Sequence, residues 1–151
     1  MIRHACMADI EAVIELCKEG RDTSATLGVI DGCRETITAN LKSAVLSPYQ
    51  LFLVKDVEGK LVGMLLGFLA PGWWHQGFVA SEQFFYIQPG FRGDGVRMLD
   101  RFIEWAWGFP ETKQIFLSIS YGGEEGRRTE KLYDRRFPGA RVGASYSIVK
   151  E

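Results

Sequence analysis

Histidine, paired cysteine and long apolar runs are what this 151-residue chain has least of. His4 and His75 are its only imidazoles, and neither belongs to a metal-ligand motif, so no metal is expected. Cys6, Cys17 and Cys33 show no C-x-x-C spacing, and one of three thiols stays unpaired in any disulfide scheme. Reduced, buried thiols in a cytoplasmic protein are therefore expected. No apolar stretch approaches the ~18 residues that span a bilayer, and the start "MIRHACMADIEAV" lacks the apolar core of a signal peptide. A net charge of −1 gives no general electrostatic case for nucleic acid or an anionic membrane. What is present, 46% apolar and 25% charged residues, is the composition of a soluble globular protein. The length suits a single domain over residues 1–151.

Periodicity orders the chain without repeats or low-complexity tracts. Residues 1–5 read as a short strand. Ile10, Val13, Ile14 and Cys17 recur at helical spacing between Met7 and Glu19, with Asp9 in the first turn, where a carboxylate suits the helix dipole, and Gly20 as a stop. A polar segment, "RDTSATLG", leads to a second helix over 31–46 carried by Cys33, Ile37, Leu41 and Val45. "LFLVKD" and "LVGMLLGFLA" flank the turn "VEGK" as a hairpin, and after the loop "GWWHQG" comes a strand, "VASEQFFYIQ". Residues 96–107 form a helix that buries Val96, Leu99, Phe102, Ile103 and Ala106 and exposes Arg97, Asp100, Arg101 and Glu104. "KQIFLSIS" reads as a strand, "EEGRRTEKLYDRRF" as a helix with alternating charges, and "ARVGASYSIVK" as a last strand or hairpin. Antiparallel pairs running into a β-α-β unit predict a mixed α/β class with a largely antiparallel sheet.

The stretch "YIQPGFRGDGVRML" carries the chemistry. Glycines between a strand and a helix let backbone N–H groups approach an anion. A P-loop is excluded because the lysine and hydroxyl of GxxxxGK[ST] are missing, and a dinucleotide fingerprint fails because Met98 replaces its third glycine. On the residues alone, Gly93 and Gly95 serve equally well as the shapers of a tight turn.

The same stretch resembles the acyl-CoA motif Arg/Gln-x-x-Gly-x-Gly/Ala of the GNAT superfamily of N-acetyltransferases. Arg92 and Gly95 match its first and fourth positions, and "IQP" resembles the end of that family's fourth strand. "MIRHACMADIEAVIEL", "FLVKDVEGKLVGMLLG" and "EKLYDRRF" resemble the opening strand and helix, the second and third strands and the late Leu-Tyr segment, in the right order over most of the chain. Two positions depart: Arg97 stands for the motif's final small residue and Arg136 for the glycine before Phe137.

The resemblance implies a central, mostly antiparallel twisted sheet flanked by helices, and acetyl-CoA as cosubstrate without a metal. It implies transfer of an acetyl group to a primary amine by direct attack in a ternary complex. Residues Arg92, Gly93, Asp94, Gly95, Val96 and Arg97 would hold the pyrophosphate at the helix N-terminus, and the backbone of Phe85 and Ile87 would meet the pantetheine arm and the developing oxyanion. Tyr133 would protonate the leaving thiolate, with Tyr121 and Tyr146 as weaker substitutes. Glu82 would accept the amine's proton. Each has an alternative: Tyr133 in packing with Leu132 and Phe137, Glu82 on a surface strand, Arg97 on the solvated face with Asp100, Arg101 and Glu104. Trp73 and Trp74 suit stacking on an acceptor, with His75 beside them, or closure of one end of the core. The acceptor is a small molecule or a peptide or protein amine, and a homodimer is compatible. A catalytically silent acyl-CoA-binding or sensing protein, and a nucleic-acid modifier of the same fold, are the competing functions.

Overall fold

The computed structural model describes residues 1–23, 32–119, 123–143 and 150. Five strands lie side by side in chain order: β1 (Ile2–His4), β2 (Gln50–Val57), β3 (Lys60–Pro71), β4 (Phe78–Ile87) and β5 (Thr112–Phe116). The first three pairings are antiparallel and β4–β5 is parallel. A parallel pair needs a crossover, and α3 (Gly95–Trp107) supplies it. Helices α1 (Ile10–Thr23) and α2 (Arg34–Leu46) intervene between β1 and β2, and α4 (Gly123–Arg136) follows β5. This is the mixed α/β, largely antiparallel architecture that the periodicity predicts. Tyr121, Tyr146 and most of the expected last strand lie outside the described residues.

Local chemistry explains the β2–β3 hairpin. Glu58 and Gly59 both take positive φ, 50° and 85°, the conformation whose twist suits a two-residue hairpin turn. Asp56 Oδ1 accepts a hydrogen bond of 2.8 Å from the Gly59 N–H, which holds the turn.

Strand alternation then splits the core over two faces. Phe52, Val54, Met64, Leu66 and Tyr86 pack with Val13 and Ile14 of α1 and Leu41 of α2. Leu51, Leu53, Leu65, Ala80 and Ile87 pack with Met98, Leu99, Phe102 and Ala106 of α3. Because β3 is covered on both sides, Leu61 to Leu66 reads as an unbroken buried run. Arg3 closes the open end: its guanidinium holds Asp9 by two hydrogen bonds of 2.7 and 2.9 Å and Asp56 by two of 3.0 and 3.4 Å. Asp9 Oδ2 also accepts from the Cys6 N–H at 2.8 Å, capping a 3-10 turn that precedes α1.

Three expectations need correction. Gly20 does not stop α1, which runs on to Thr23; a Cβ there would lie 2.7 Å from the Phe84 ring, so the glycine permits close helix–sheet contact. In α3 Leu99, Phe102 and Ala106 are buried as read by periodicity, but the buried set also includes Met98, while Val96 and Ile103 are only half-buried. The thiols are free as expected, but Cys6 and Cys33 are exposed. Only Cys17 is half-buried, and burial raises its pKa to about 11. No helix among the described residues is long and apolar enough to cross a membrane.

Helix α3 is seated by one contact above all. A Cβ at Gly67 would fall 2.4 Å from the ring of Phe102, itself fully buried. Gly67→Ala is expected to cost about 1–3 kcal/mol through overpacking, lowering the melting temperature by roughly 2–4 °C per kcal/mol in a chain of this length. Adding Phe102→Leu should recover part of that loss, measured by thermal and urea unfolding of both variants.

Candidate functional site

The site is organised by an irregularity in β4. Leu66 pairs with Phe84 but Gly67 with Glu82, so Gln83 has no counterpart on β3. A bulge of this kind redirects the side chains that follow it. Glu82, opposite Gly67, and Phe85, opposite Leu65, thus both lie toward α3, where strict alternation would have separated them. Ala80 and Ile87 share that face.

Beside the bulge the parallel ladder stops. β5 pairs with β4 from Phe78 to Ser81, and β4 continues to Ile87. At the parting, the Glu82 side chain makes the connection. Its Oε1 accepts hydrogen bonds from the Ser118 N–H at 2.6 Å and the Ser118 Oγ at 2.7 Å. Its Oε2 is buried and has no hydrogen-bond partner among the described residues. Glu82 is 8% exposed, far from the surface strand residue that was the alternative. Burial raises its pKa above the ordinary carboxylate value, and the two donors of Ser118 only partly oppose this.

Past Ile87 the chain enters the glycine loop. The Gln88 N–H bonds the Val62 carbonyl at 2.8 Å, and its side-chain amide donates to Glu19. A 3-10 turn, Arg92–Asp94, leads directly into α3 at Gly95. The two glycines differ. A Cβ on Gly95 would come within 3.3 Å of Ile87 and 3.5 Å of Phe85, whereas one on Gly93 would meet nothing within 4 Å. Packing accounts for the first and leaves the second unexplained. Asp94 stands at the N-cap without capping; its carboxylate lies 2.7 Å from Lys55 Nζ, whose hydrogen bond lowers the Asp94 pKa.

The two departing arginines now have places. Arg97 is 79% exposed, 3.8 Å from Asp94. Its expected companions are engaged: Arg101 donates to the Ile2 carbonyl at 2.7 Å, and Asp100 pairs with Arg136. Arg136 also lies 5.8 Å from the centre of the Phe137 ring, so it ties α4 to α3. Tyr133 of α4 is half-buried, edge-on to Phe137 at 6.2 Å, and packs with the α3 cluster.

No protein-family model matches the sequence, and no curated protein matches it. Solved structures do. Ribosomal-protein-alanine N-acetyltransferase from Brucella melitensis biovar Abortus 2308 superposes with a TM-score of 0.71 at 18% identity, over 99% of this chain and 98% of that one. A protein described as a predicted acetyltransferase with acetyl-CoA, from Clostridium acetobutylicum, gives 0.72 at 17% identity, over 99% and 95%. A transcriptional regulator from Bacillus halodurans C-125 gives 0.72 at 15%, over 98% and 99%. The chain has the GNAT acetyltransferase fold.

Within this GNAT fold, Glu82 lies at the end of the β4–β5 ladder, Phe85, Ile87 and Tyr133 share the cluster on the α3 face of the sheet, and Gly95 sits against Ile87 and Phe85. Trp73, Trp74 and His75 lie elsewhere, in the loop joining β3 to β4. Phe78 and Ile87 are separated by ~30 Å at the rise of an extended strand, so the tryptophans stand at the far end from the glycine loop. They are 91% and 93% exposed, with rings 6.4 Å apart at 52°, which removes the alternative that they close the core. His75 folds back over Gly72. Sequence reasoning missed Ser118 and Lys55; a serine in "FLSIS" and a lysine in "FLVKD" carry no signal until the strands are paired.

A raised carboxylate pKa makes stability depend on pH with a definite sign. The folded state prefers protonated Glu82, so that preference is fully present below the ordinary glutamate value and is lost as pH rises through the elevated one. Relative to wild type, Glu82→Gln should therefore become progressively more stable as pH rises from about 4, the ordinary glutamate value, toward neutrality. Urea unfolding across that range checks it; a pH-independent difference means that Glu82 titrates normally.

Proposed function

We propose that the protein is an acetyl-CoA-dependent N-acetyltransferase acting on a primary amine. The observation that carries this is the end of the β4–β5 ladder at a buried carboxylate, on the strand that leads into a glycine-started helix. The residues fit the donor: Gly93 leaves open space where a Cβ would otherwise stand, and the α3 N-terminus has no side-chain cap. Residues Arg92 to Arg97 would present N–H groups and the helix dipole to the pyrophosphate. The β4 backbone at Phe85 and Ile87 would bond the pantetheine arm and the carbonyl oxygen as it gains charge. Glu82, through Oε2, would take the amine's proton, and Tyr133 would give one to the leaving sulfur. Trp73 and Trp74 would touch an acceptor reaching past Glu82, not the donor.

A second reading, an acyl-CoA-binding protein without turnover, draws support from the similarity to a transcriptional regulator. Thiol release with a panel of small amines, peptides and proteins, followed by mass detection of the acetylated product, separates the two.

Acetyl-CoA at about 100 times its Kd should add about 2.7 kcal/mol of stability and raise the melting temperature by several degrees. Gly95→Glu should abolish that shift by crowding Ile87 and placing a negative charge at the helix N-terminus. Absence of a shift in the wild-type protein, confirmed by calorimetric titration, refutes the donor site. On an identified acceptor, Tyr133→Phe should lower kcat by roughly 10²–10⁴-fold with acetyl-CoA affinity little changed, since the ring still packs on Phe137. An unchanged kcat, with chemistry rate-limiting, excludes Tyr133 as the acid.

A further inference from the structure

An acidic side chain in the middle of a loop meant for pyrophosphate is a physical conflict. Asp94 lies one residue before α3 begins, where two like charges would meet. The structure places a cation there from a distant strand. Leu51 and Leu53 of β2 face α3, and Lys55 is the next residue on that face, its side chain 13% exposed. Its partner on β3 is Gly63, and Gly63 in turn pairs with Ile87. Lys55, Gly63 and Ile87 thus form one row across the sheet, near the start of α3. The β2–β3 register slips just after Lys55. Nζ lies 2.7 Å from Asp94 Oδ2. Arg97, a second cation near Asp94, is 3.8 Å away and largely in water.

We propose that Lys55 is a positioning residue for the donor: it cancels the charge of Asp94 and holds that carboxylate toward the sheet, leaving the α3 N-terminus open to the pyrophosphate of acetyl-CoA. This rests on the donor site proposed above. The role is one of charge balance, which sets it apart from a bridge that merely stiffens the loop and from a lysine that contacts phosphate itself.

Charge arithmetic orders the variants. Relative to the neutral wild-type pair, Lys55→Met leaves −1 beside the loop, Asp94→Asn leaves +1, and the double variant restores zero. Calorimetric titration with acetyl-CoA should find Lys55→Met weaker by roughly 3–10-fold and Asp94→Asn tighter than wild type, with the double variant close to wild type. The gap between the single variants should narrow as salt rises from about 0.01 M to about 0.5 M, because screening shortens the reach of the charge. Melting curves without ligand check that each variant is folded, and Asp94→Asn alone suffices if Lys55→Met is not. Three equally weakened variants would overturn the proposal in favour of a stiffening bridge. A double variant as weak as Lys55→Met would overturn it in favour of direct contact between Lys55 and phosphate. No binding by the wild-type protein would remove the donor site and this inference with it, whereas wild-type binding with Lys55→Met unchanged would remove the inference alone.

Discussion

Everything at the candidate site depends on β4 serving two neighbours unequally. It must pair with β3 along nearly its whole length to keep the sheet intact, yet its ladder with β5 ends at Ser81. One extra residue, Gln83, reconciles these demands. It keeps the β3 pairing on both sides of the bulge while turning Glu82 to the same face as Phe85 and Ile87. Were Gln83 drawn into a regular ladder opposite Gly67, Glu82 would fall opposite Phe68 and turn to the α1 side, away from Ser118. Gly67, opposite Glu82, adds the second half of the arrangement, because only a residue without a side chain admits Phe102 and lets α3 lie down on the sheet.

Two carboxylates show how partners and depth together decide charge. Asp9 and Glu82 are each 8% exposed, but Glu82 lies deeper in the protein. Asp9 is held by the Arg3 guanidinium, chiefly through hydrogen bonds, and its pKa falls to about 2. Glu82 has only the neutral donors of Ser118, and burial drives its pKa up. The first is a structural clamp whose contribution is present above the ordinary carboxylate range and fades as pH falls toward about 2. The second is biased by burial toward its protonated form, the kind of perturbation that also occurs at reactive sites.

Legibility in the sequence followed the range of the interaction. Helix α3, the hairpin turn at Glu58 and Gly59, and the strand-to-helix glycine loop rest on contacts within a few residues, and they were readable. Gly20 was misread because a helix-stop signal and a close-packing requirement look identical until Phe84, far along the chain, is placed against it. The stripe of α3 was read correctly at Leu99, Phe102 and Ala106, and Met98 was missed because it was weighed as a failed motif position rather than as core. The Glu82–Ser118 and Lys55–Asp94 pairs span 36 and 39 residues and depend on register, which a single sequence does not encode locally. The family resemblance supplied Tyr133 and Glu82 as candidates, but not the hydrogen bonds that give Glu82 its character.

The β3–β4 loop has an optical consequence. Of the four tryptophans, Trp105 packs against Phe102 and Phe109, Trp107 is half in solvent, and Trp73 and Trp74 stand almost wholly in water. Indole emission shifts to the red when the ring is hydrated, so Trp73 and Trp74 should emit in the native protein much as they do in an unfolded chain. Their share of the steady-state fluorescence is thus a dull monitor of denaturation for this fold. The same two rings respond directly to whatever covers them, and a blue shift on adding a molecule would report contact at that end of β4 without any label.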